Sequence, residues 1–223
     1  MKEVEAVLFD LDGTLIDSID VYWRDFKEVL KRLGLPIIDK QKVINTMLKG
    51  GNPWVDLFPE LSRDEGFMSK AKEIDNDVWP QIYKRYAKVF PEAPDLLMKL
   101  KAMGLLSGIV TSSWFEEQDP KEILELKNMV DVVVAKFDVK MRKPHPEPIL
   151  RGCEKLGVSP GKAIYVGDAP ADIKAGKAAR VKTIGVLWGL SDFETMRNEG
   201  PDYIAKDFSE VLKIIHFIEL SSN

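Results

Sequence analysis

Ala6-Val7-Leu8-Phe9-Asp10-Leu11-Asp12-Gly13-Thr14 is the stretch on which the fold turns. Four consecutive apolar residues, with no polar residue between them, read as a strand covered on both faces, and the run stops at acid, acid and glycine. The pattern recurs downstream. Apolar runs at Leu106–Val110, Val130–Ala135, Ala163–Val166, Thr183–Leu187 and Tyr203–Ala205 alternate with segments of helical period. Those segments are Asp95–Met103, Glu116–Asn128, Glu147–Leu156, Ala171–Ala179 and Phe193–Asn198, with a closing helix over Phe208–Leu220. This alternation predicts an α/β fold, a doubly wound (Rossmann-like) parallel sheet.

One interval breaks the rhythm. About ninety residues separate the first two apolar runs, and none of them reads as strand. Helices are predicted instead over Ser18–Leu33, Lys40–Leu48 and Ser69–Val89, with a loop around Gly50–Pro59. A simple crossover needs only about a dozen residues. The sequence therefore predicts an α/β core domain over 1–15 and 90–223, interrupted by an inserted helical subdomain over 16–89. Tyr22, Trp23, Trp54, Trp79 and Tyr83 are expected mostly in the insert's own core, with one or two facing the site.

Composition narrows the function. With 45% hydrophobic and 30% charged residues the chain can bury a core, and its formal charge of −4 offers no basic face for nucleic acid or anionic lipid. Cys153 is the one cysteine, so no intrachain disulfide and no cysteine-rich zinc site can form; in its helix it reads as a small buried hydrophobe. No apolar stretch approaches the length of a membrane span, and the N-terminus does not read as a signal peptide, so a cytoplasmic protein is expected.

In an open α/β sheet, ligands bind beyond the carboxyl ends of the strands. Those ends carry Asp10 and Asp12, then Thr111 and Ser112, then Asp168 with Asp172 four residues on, and a loop after Val130–Ala135 leads to Lys143. Carboxylates brought together there repel one another and call for a cation, and hard oxygen ligands suit Mg²⁺. Lys143 and the Thr111 hydroxyl would bind phosphate oxygens. Asp10 and Asp12, at i and i+2, face the same side of an extended chain, so one can attack while the other handles a proton. Gly13 permits a sharp turn whose N–H groups would meet an anion.

These residues resemble the signature of the haloacid dehalogenase superfamily. Asp10-Leu11-Asp12-Gly13-Thr14 is similar to its DxDGT motif and Thr111 to its second motif. Lys143-Pro144-His145-Pro146 is similar to the third, and Gly167-Asp168-Ala169-Pro170-Ala171-Asp172 to the GDxxxD fourth. All four stand in order, and the helical insert resembles the cap of phosphoglycolate phosphatase-like members. The resemblance implies a Mg²⁺-dependent phosphatase acting on a small phosphorylated metabolite. Asp10 would be the nucleophile, Asp12 the general acid and base, and Thr111 and Lys143 would steady the phosphoryl group. Gly13, Thr14, Thr111, Ser112 and Lys143 are assigned to phosphate; Asp10, Asp12, Asp168 and Asp172 are assigned to metal, with Asp172 supporting either Lys143 or the metal's water shell. Ser112 departs from the family's frequent Asn.

Alternatives remain at this stage. A phosphosugar mutase shares the motifs, and a non-enzymatic regulatory scaffold shares the fold. A dehalogenase has no need of an acid at Asp12, and a phospho-accepting receiver lacks a helical insert. Individually, Asp10–Gly13 could be a turn, Asp172 a helix-terminal acid, and Lys143 a surface lysine. His145, between prolines, is expected on an exposed loop. Asp17 reads as a helix cap or a substrate contact.

Overall fold

The computed structural model describes residues 3–49, 51–112 and 120–220. The eight strands among the described residues are β1 (Ala6–Phe9), β2 (Ile16–Asp17), β3 (Lys88–Val89), β4 (Leu106–Val110), β5 (Val132–Val134), β6 (Ala163–Gly167), β7 (Lys182–Val186) and β8 (Tyr203–Ala205). The α-helices among the described residues are α1 (Ile19–Arg32), α2 (Lys40–Leu48), α3 (Pro53–Leu57), α4 (Glu65–Tyr86), α5 (Ala93–Ala102), α6 (Lys121–Asn128), α7 (Glu147–Leu156), α8 (Pro170–Ala179), α9 (Phe193–Glu199) and α10 (Phe208–Leu220).

Six strands form one sheet in the order β5-β4-β1-β6-β7-β8, every pairing parallel. The order reverses at β1, whose neighbours β4 and β6 come from later in the chain, so a crevice opens at its carboxyl end. Side-chain alternation explains why β1 is apolar throughout. Val7 and Phe9 enter a core shared with Leu96 and Leu100 of α5, Ile123 of α6 and Ile215 of α10. Ala6 and Leu8 enter the opposite core, with Ile149 and Cys153 of α7 and Ala175 of α8. The result is a three-layer α/β/α sandwich. Cys153 is buried, as its helical context predicts.

The predicted interval without strands is corrected in one respect. Ile16 pairs with Val89 and Asp17 with Lys88 in a short antiparallel ribbon of β2 and β3. Two-residue strands leave no periodic signal, and Lys88–Val89 lay inside a predicted helix. α4 starts earlier than predicted because Asp64 caps it, accepting from the Phe67 N–H at 3.0 Å. The expected Gly50–Pro59 loop contains α3, whose cap Asn52 accepts from the Trp54 N–H at 2.9 Å. Residues 116–119 of the predicted Glu116–Asn128 helix lie outside the described residues.

The helices of this interval bury apolar residues among themselves. Phe26 and Leu30 of α1 meet Val43 of α2, with Trp23, Trp54 and Phe58 around them. Val29 meets Ala71 and Val78 of α4. Trp54 lies edge-on to Phe26, their centroids 4.9 Å apart. No helix among the described residues is long and apolar enough to cross a membrane.

Candidate active site

The sheet brings the four sequence motifs to one place. Asp10 leaves β1 with its N–H donating to Val166 O of β6 at 2.8 Å, and Thr111 leaves β4 with its N–H donating to Val134 O of β5 at 2.9 Å. Asp168 comes directly after β6, Asp172 sits in the first turn of α8, and Lys143 stands in the loop before α7. Asp10, Asp12, Thr111, Ser112, Lys143, Asp168 and Asp172 all line one pocket of about 160 Å³.

Lys143 organises the carboxylates. Its Nζ donates to Asp10 Oδ1, to Asp172 Oδ1 at 2.7 Å and to the Tyr165 hydroxyl at 2.9 Å, with Val110 O at 3.3 Å. Burial by itself would lower the Lys143 pKa, but the charges of Asp10 and Asp172 outweigh it and hold the group well above its ordinary value. It is therefore a fixed cation. Asp172 is held in turn: Oδ2 accepts from the Ala169 N–H at 3.0 Å, and Oδ1 faces Lys143 and the Tyr165 hydroxyl.

Asp168 is fully buried and gripped at both oxygens. Thr14 Oγ1 donates to Oδ1 at 3.0 Å, and the Leu190 N–H donates to Oδ2 at 2.6 Å. Two glycines make room for it. A Cβ on Gly13 would lie 2.1 Å from Asp168 Oδ2, and one on Gly189 would lie 2.3 Å from the same atom. Gly13 also holds φ at +81°, in the left-handed region.

The motif-one turn differs from expectation. The Gly13 N–H donates to Ile16 O at 2.8 Å and the Thr14 N–H to Leu11 O at 3.3 Å, so both are consumed within the turn and do not face an anion. Thr14, expected to bind phosphate, is buried with its hydroxyl on Asp168. Both residues shape the position of Asp168 instead. Asp17 is not the helix cap and is not in the lining of this pocket; it is exposed in β2, and Ser18 stands at the α1 N-terminus. His145 is exposed, as its flanking prolines predict.

Sequence reasoning missed several participants. Tyr165 is buried inside β6, and its hydroxyl meets Lys143. Its only signal was a polar-tipped side chain in an otherwise apolar strand. Trp188-Gly189-Leu190 stand directly after the apolar run Thr183–Leu187, and that position at a strand end was their only signal. Trp188 Nε1 donates to Thr14 O at 3.0 Å, and Leu190 serves Asp168 through its backbone, which leaves no trace in side-chain identity. Tyr22 of α1, by contrast, belongs to the aromatics of which one or two are expected to face the site; it lines the pocket, and burial, with the charges of Asp12 and Asp10, pushes its phenol well above the ordinary value.

The donor set fits a divalent cation. Asp10, Asp168 and Asp172 are buried and offer carboxylate oxygens within 4.8 Å of one another, the one such cluster among the described residues. With Asp12 also lining the pocket, four carboxylates face one ammonium, an excess of three formal negative charges. Burial, with the neighbouring Asp172 charge, pushes Asp168 up to about 7, and burial, against the relief from Lys143, holds Asp10 well above the usual carboxylate range. Hard oxygen donors in this state are what a divalent cation stabilises.

Comparison with known proteins agrees with this geometry. A provisionally named pyrophosphatase PpaX of Caldanaerobacter subterraneus is 33% identical over 96% of this chain and 95% of its own length. The phosphoglycolate phosphatase of Escherichia coli K12 is 28% identical over 95% of this chain and 92% of its own. A haloacid dehalogenase-like hydrolase structure from Streptococcus pneumoniae superposes with a TM-score of 0.81 at 26% identity, covering 96% of this chain and 99% of that one. The sequence profile of the haloacid dehalogenase-like hydrolases matches residues 7–186. Four motifs converging at the switch point of a parallel sheet, in a chain matched over most of its length, place this protein in the haloacid dehalogenase-like hydrolase family, among its phosphatases.

Proposed function

We propose that the protein is a Mg²⁺-dependent phosphatase that hydrolyses a small, phosphoglycolate-like phosphomonoester through an aspartyl-phosphate on Asp10. The observation that carries this reading is the Lys143 ammonium held between Asp10 and Asp172 at the mouth of β1. Asp10, Asp168 and the Asp12 carbonyl would hold Mg²⁺, which when bound neutralises charge on the phosphoryl oxygens and on the crowded carboxylates. Asp172, already engaged by Lys143 and the Ala169 N–H, acts by fixing the lysine.

Asp10 Oδ attacks phosphorus while the bond from phosphorus to the ester oxygen breaks, and Asp12 gives that oxygen a proton. The alcohol leaves. Water then attacks phosphorus of the aspartyl-phosphate while Asp12 takes a proton from that water; the bond from phosphorus to Asp10 breaks, inorganic phosphate leaves, and Asp10 and protonated Asp12 are restored. Lys143 and Thr111 keep the phosphoryl oxygens in place through both steps, so that positioning and charge supply most of the rate. Residues 16–89 act as the cap over this site, with β2 and β3 as the two crossings between cap and core. A single cysteine, needing no oxidising compartment, suits work in the cytoplasm.

The test is turnover of p-nitrophenyl phosphate and of a panel of natural phosphomonoesters, with Mg²⁺ and with EDTA, by wild type and Asp10→Asn. Metal-dependent turnover that Asp10→Asn abolishes supports the reading. Absence of turnover on the whole panel, or turnover that survives the substitution, sinks it.

A further inference from the structure

The loop after β7 and the motif-one turn are joined in a closed ring of hydrogen bonds. Trp188 Nε1 donates to Thr14 O at 3.0 Å, and Thr14 Oγ1 donates to Asp168 Oδ1 at 3.0 Å. The Leu190 N–H donates to Asp168 Oδ2 at 2.6 Å, and the chain from Leu190 back to Trp188 closes the ring. Thr14 takes part with both its carbonyl and its hydroxyl. The turn by itself holds Thr14 loosely, because the Thr14 N–H reaches Leu11 O only at 3.3 Å, beyond the usual range. The indole bond is the tighter restraint. The indole is anchored in turn. It stacks on Phe208 with centroids 4.5 Å and planes 25° apart, and Phe208 meets Phe90 at 5.8 Å. The Phe90 N–H donates to Leu15 O at 3.0 Å, in the same turn region. Indole offers a flat apolar face and a donor-only N–H at its edge, so one side chain can stack and hold the carbonyl together.

We propose that Trp188 is a positioning residue for the phosphatase site: by fixing the Thr14 carbonyl it sets the Thr14 hydroxyl, and through that hydroxyl the plane of the Asp168 carboxylate that would hold the cation. The inference rests on the Mg²⁺-dependent phosphatase reading and adds to it a residue outside the lining of the reaction pocket. A carboxylate held at both oxygens keeps its remaining lone pairs in one direction, and partners of this kind, one shell out from a metal, tune its affinity. The effect of Trp188 therefore falls on cation binding and not on contact with the substrate.

Calorimetric titration of Mg²⁺ alone into wild type, Trp188→Phe, Thr14→Val and the double variant tests this. Phenylalanine keeps an aromatic face for Phe208 and loses only the donor. One hydrogen bond corresponds to about threefold to tenfold in an equilibrium constant, so the Mg²⁺ Kd of Trp188→Phe should rise by that factor. At saturating Mg²⁺ its kcat and substrate KM should stay at wild-type values. A residue that merely packs would lower Tm and leave the Mg²⁺ Kd alone. Because Trp188 acts through Thr14, the double variant should bind Mg²⁺ within about twofold of Thr14→Val. Should Trp188→Phe not fold, the indole N–H NMR spectrum of wild type reads the same link: the Trp188 Nε1–H resonance should shift as Mg²⁺ is added, with the midpoint of the calorimetric titration. An unchanged Mg²⁺ Kd in Trp188→Phe, effects that multiply in the double variant, or an Nε1–H resonance that Mg²⁺ leaves in place overturns the proposal and spares the phosphatase. Wild type that binds no Mg²⁺ overturns the metal-dependent reading and this inference together.

Discussion

Replacing Gly189 by alanine tests whether the loop after β7 holds Asp168. An added Cβ would lie 2.3 Å from Asp168 Oδ2, 2.4 Å from Asp168 Cβ and 2.4 Å from Gly13 O. None of these is the free end of a flexible side chain, because Asp168 is gripped by Thr14 and Leu190 and Gly13 is fixed in its turn. The backbone must withdraw by roughly an ångström, and the 2.6 Å bond from the Leu190 N–H to Asp168 is the contact that breaks. Overpacking costs about 1–3 kcal/mol. Losing a hydrogen bond to a charged group adds about 1.5–3 kcal/mol. Gly189→Ala should therefore destabilise the protein by about 3–5 kcal/mol, lowering Tm by roughly 6–20 °C for a chain of this size. A displaced Asp168 should also lower kcat about a hundredfold at temperatures well below the transition, since misplacement of about 1 Å costs that much in an oriented site. Urea denaturation and steady-state kinetics on the same preparation read both numbers. A variant within 1 kcal/mol of wild type, with unchanged kcat, would refute the claim that this loop is built around Asp168.

Further expectations rest on the same contacts. Tyr165→Phe conserves the buried ring and leaves Lys143 with Asp10, Asp172 and Val110 O, so it should lose only about 0.5–1.5 kcal/mol of stability by thermal melting, with kcat falling far less than in Lys143→Met. Mg²⁺ at a hundred times its Kd should stabilise the protein by about 2.7 kcal/mol, and Asp168→Asn should abolish most of that shift in a thermal titration. Burial pushes the Cys153 thiol up to about 11, against an ordinary value of 9.0. The unfolded chain releases that proton first as pH rises, so the contribution is intact below about pH 9 and is lost between about 9 and 11; Cys153→Ala should flatten that part of the stability profile, and thiol reagents at pH 8 should react only with denatured protein. Phe26→Ala empties the contact among α1, α2 and α3 and should cost about 3–5 kcal/mol by urea denaturation.

The sequence by itself determined the parallel sheet and the family, and it placed acids and a hydroxyl at the strand ends. Strands buried on both faces must be continuously apolar, as Ala6–Phe9 and Ala163–Val166 are, and a parallel connection must be long. Asp10, Lys143 and Asp168 were legible because their charge is out of place beside such strands. What only the tertiary structure decided lies in backbone and in distance. The ribbon of β2 and β3 is too short to leave a pattern. The grip of the Leu190 N–H on Asp168 depends on no side chain. Thr14 looks like a phosphate ligand until the turn buries its hydroxyl against Asp168. Tyr165 gains its meaning from Lys143, 22 residues away along the chain. Local patterning encodes which face is covered and where charge is exceptional, whereas the partner of a buried polar atom is set by packing between segments that the pattern does not relate.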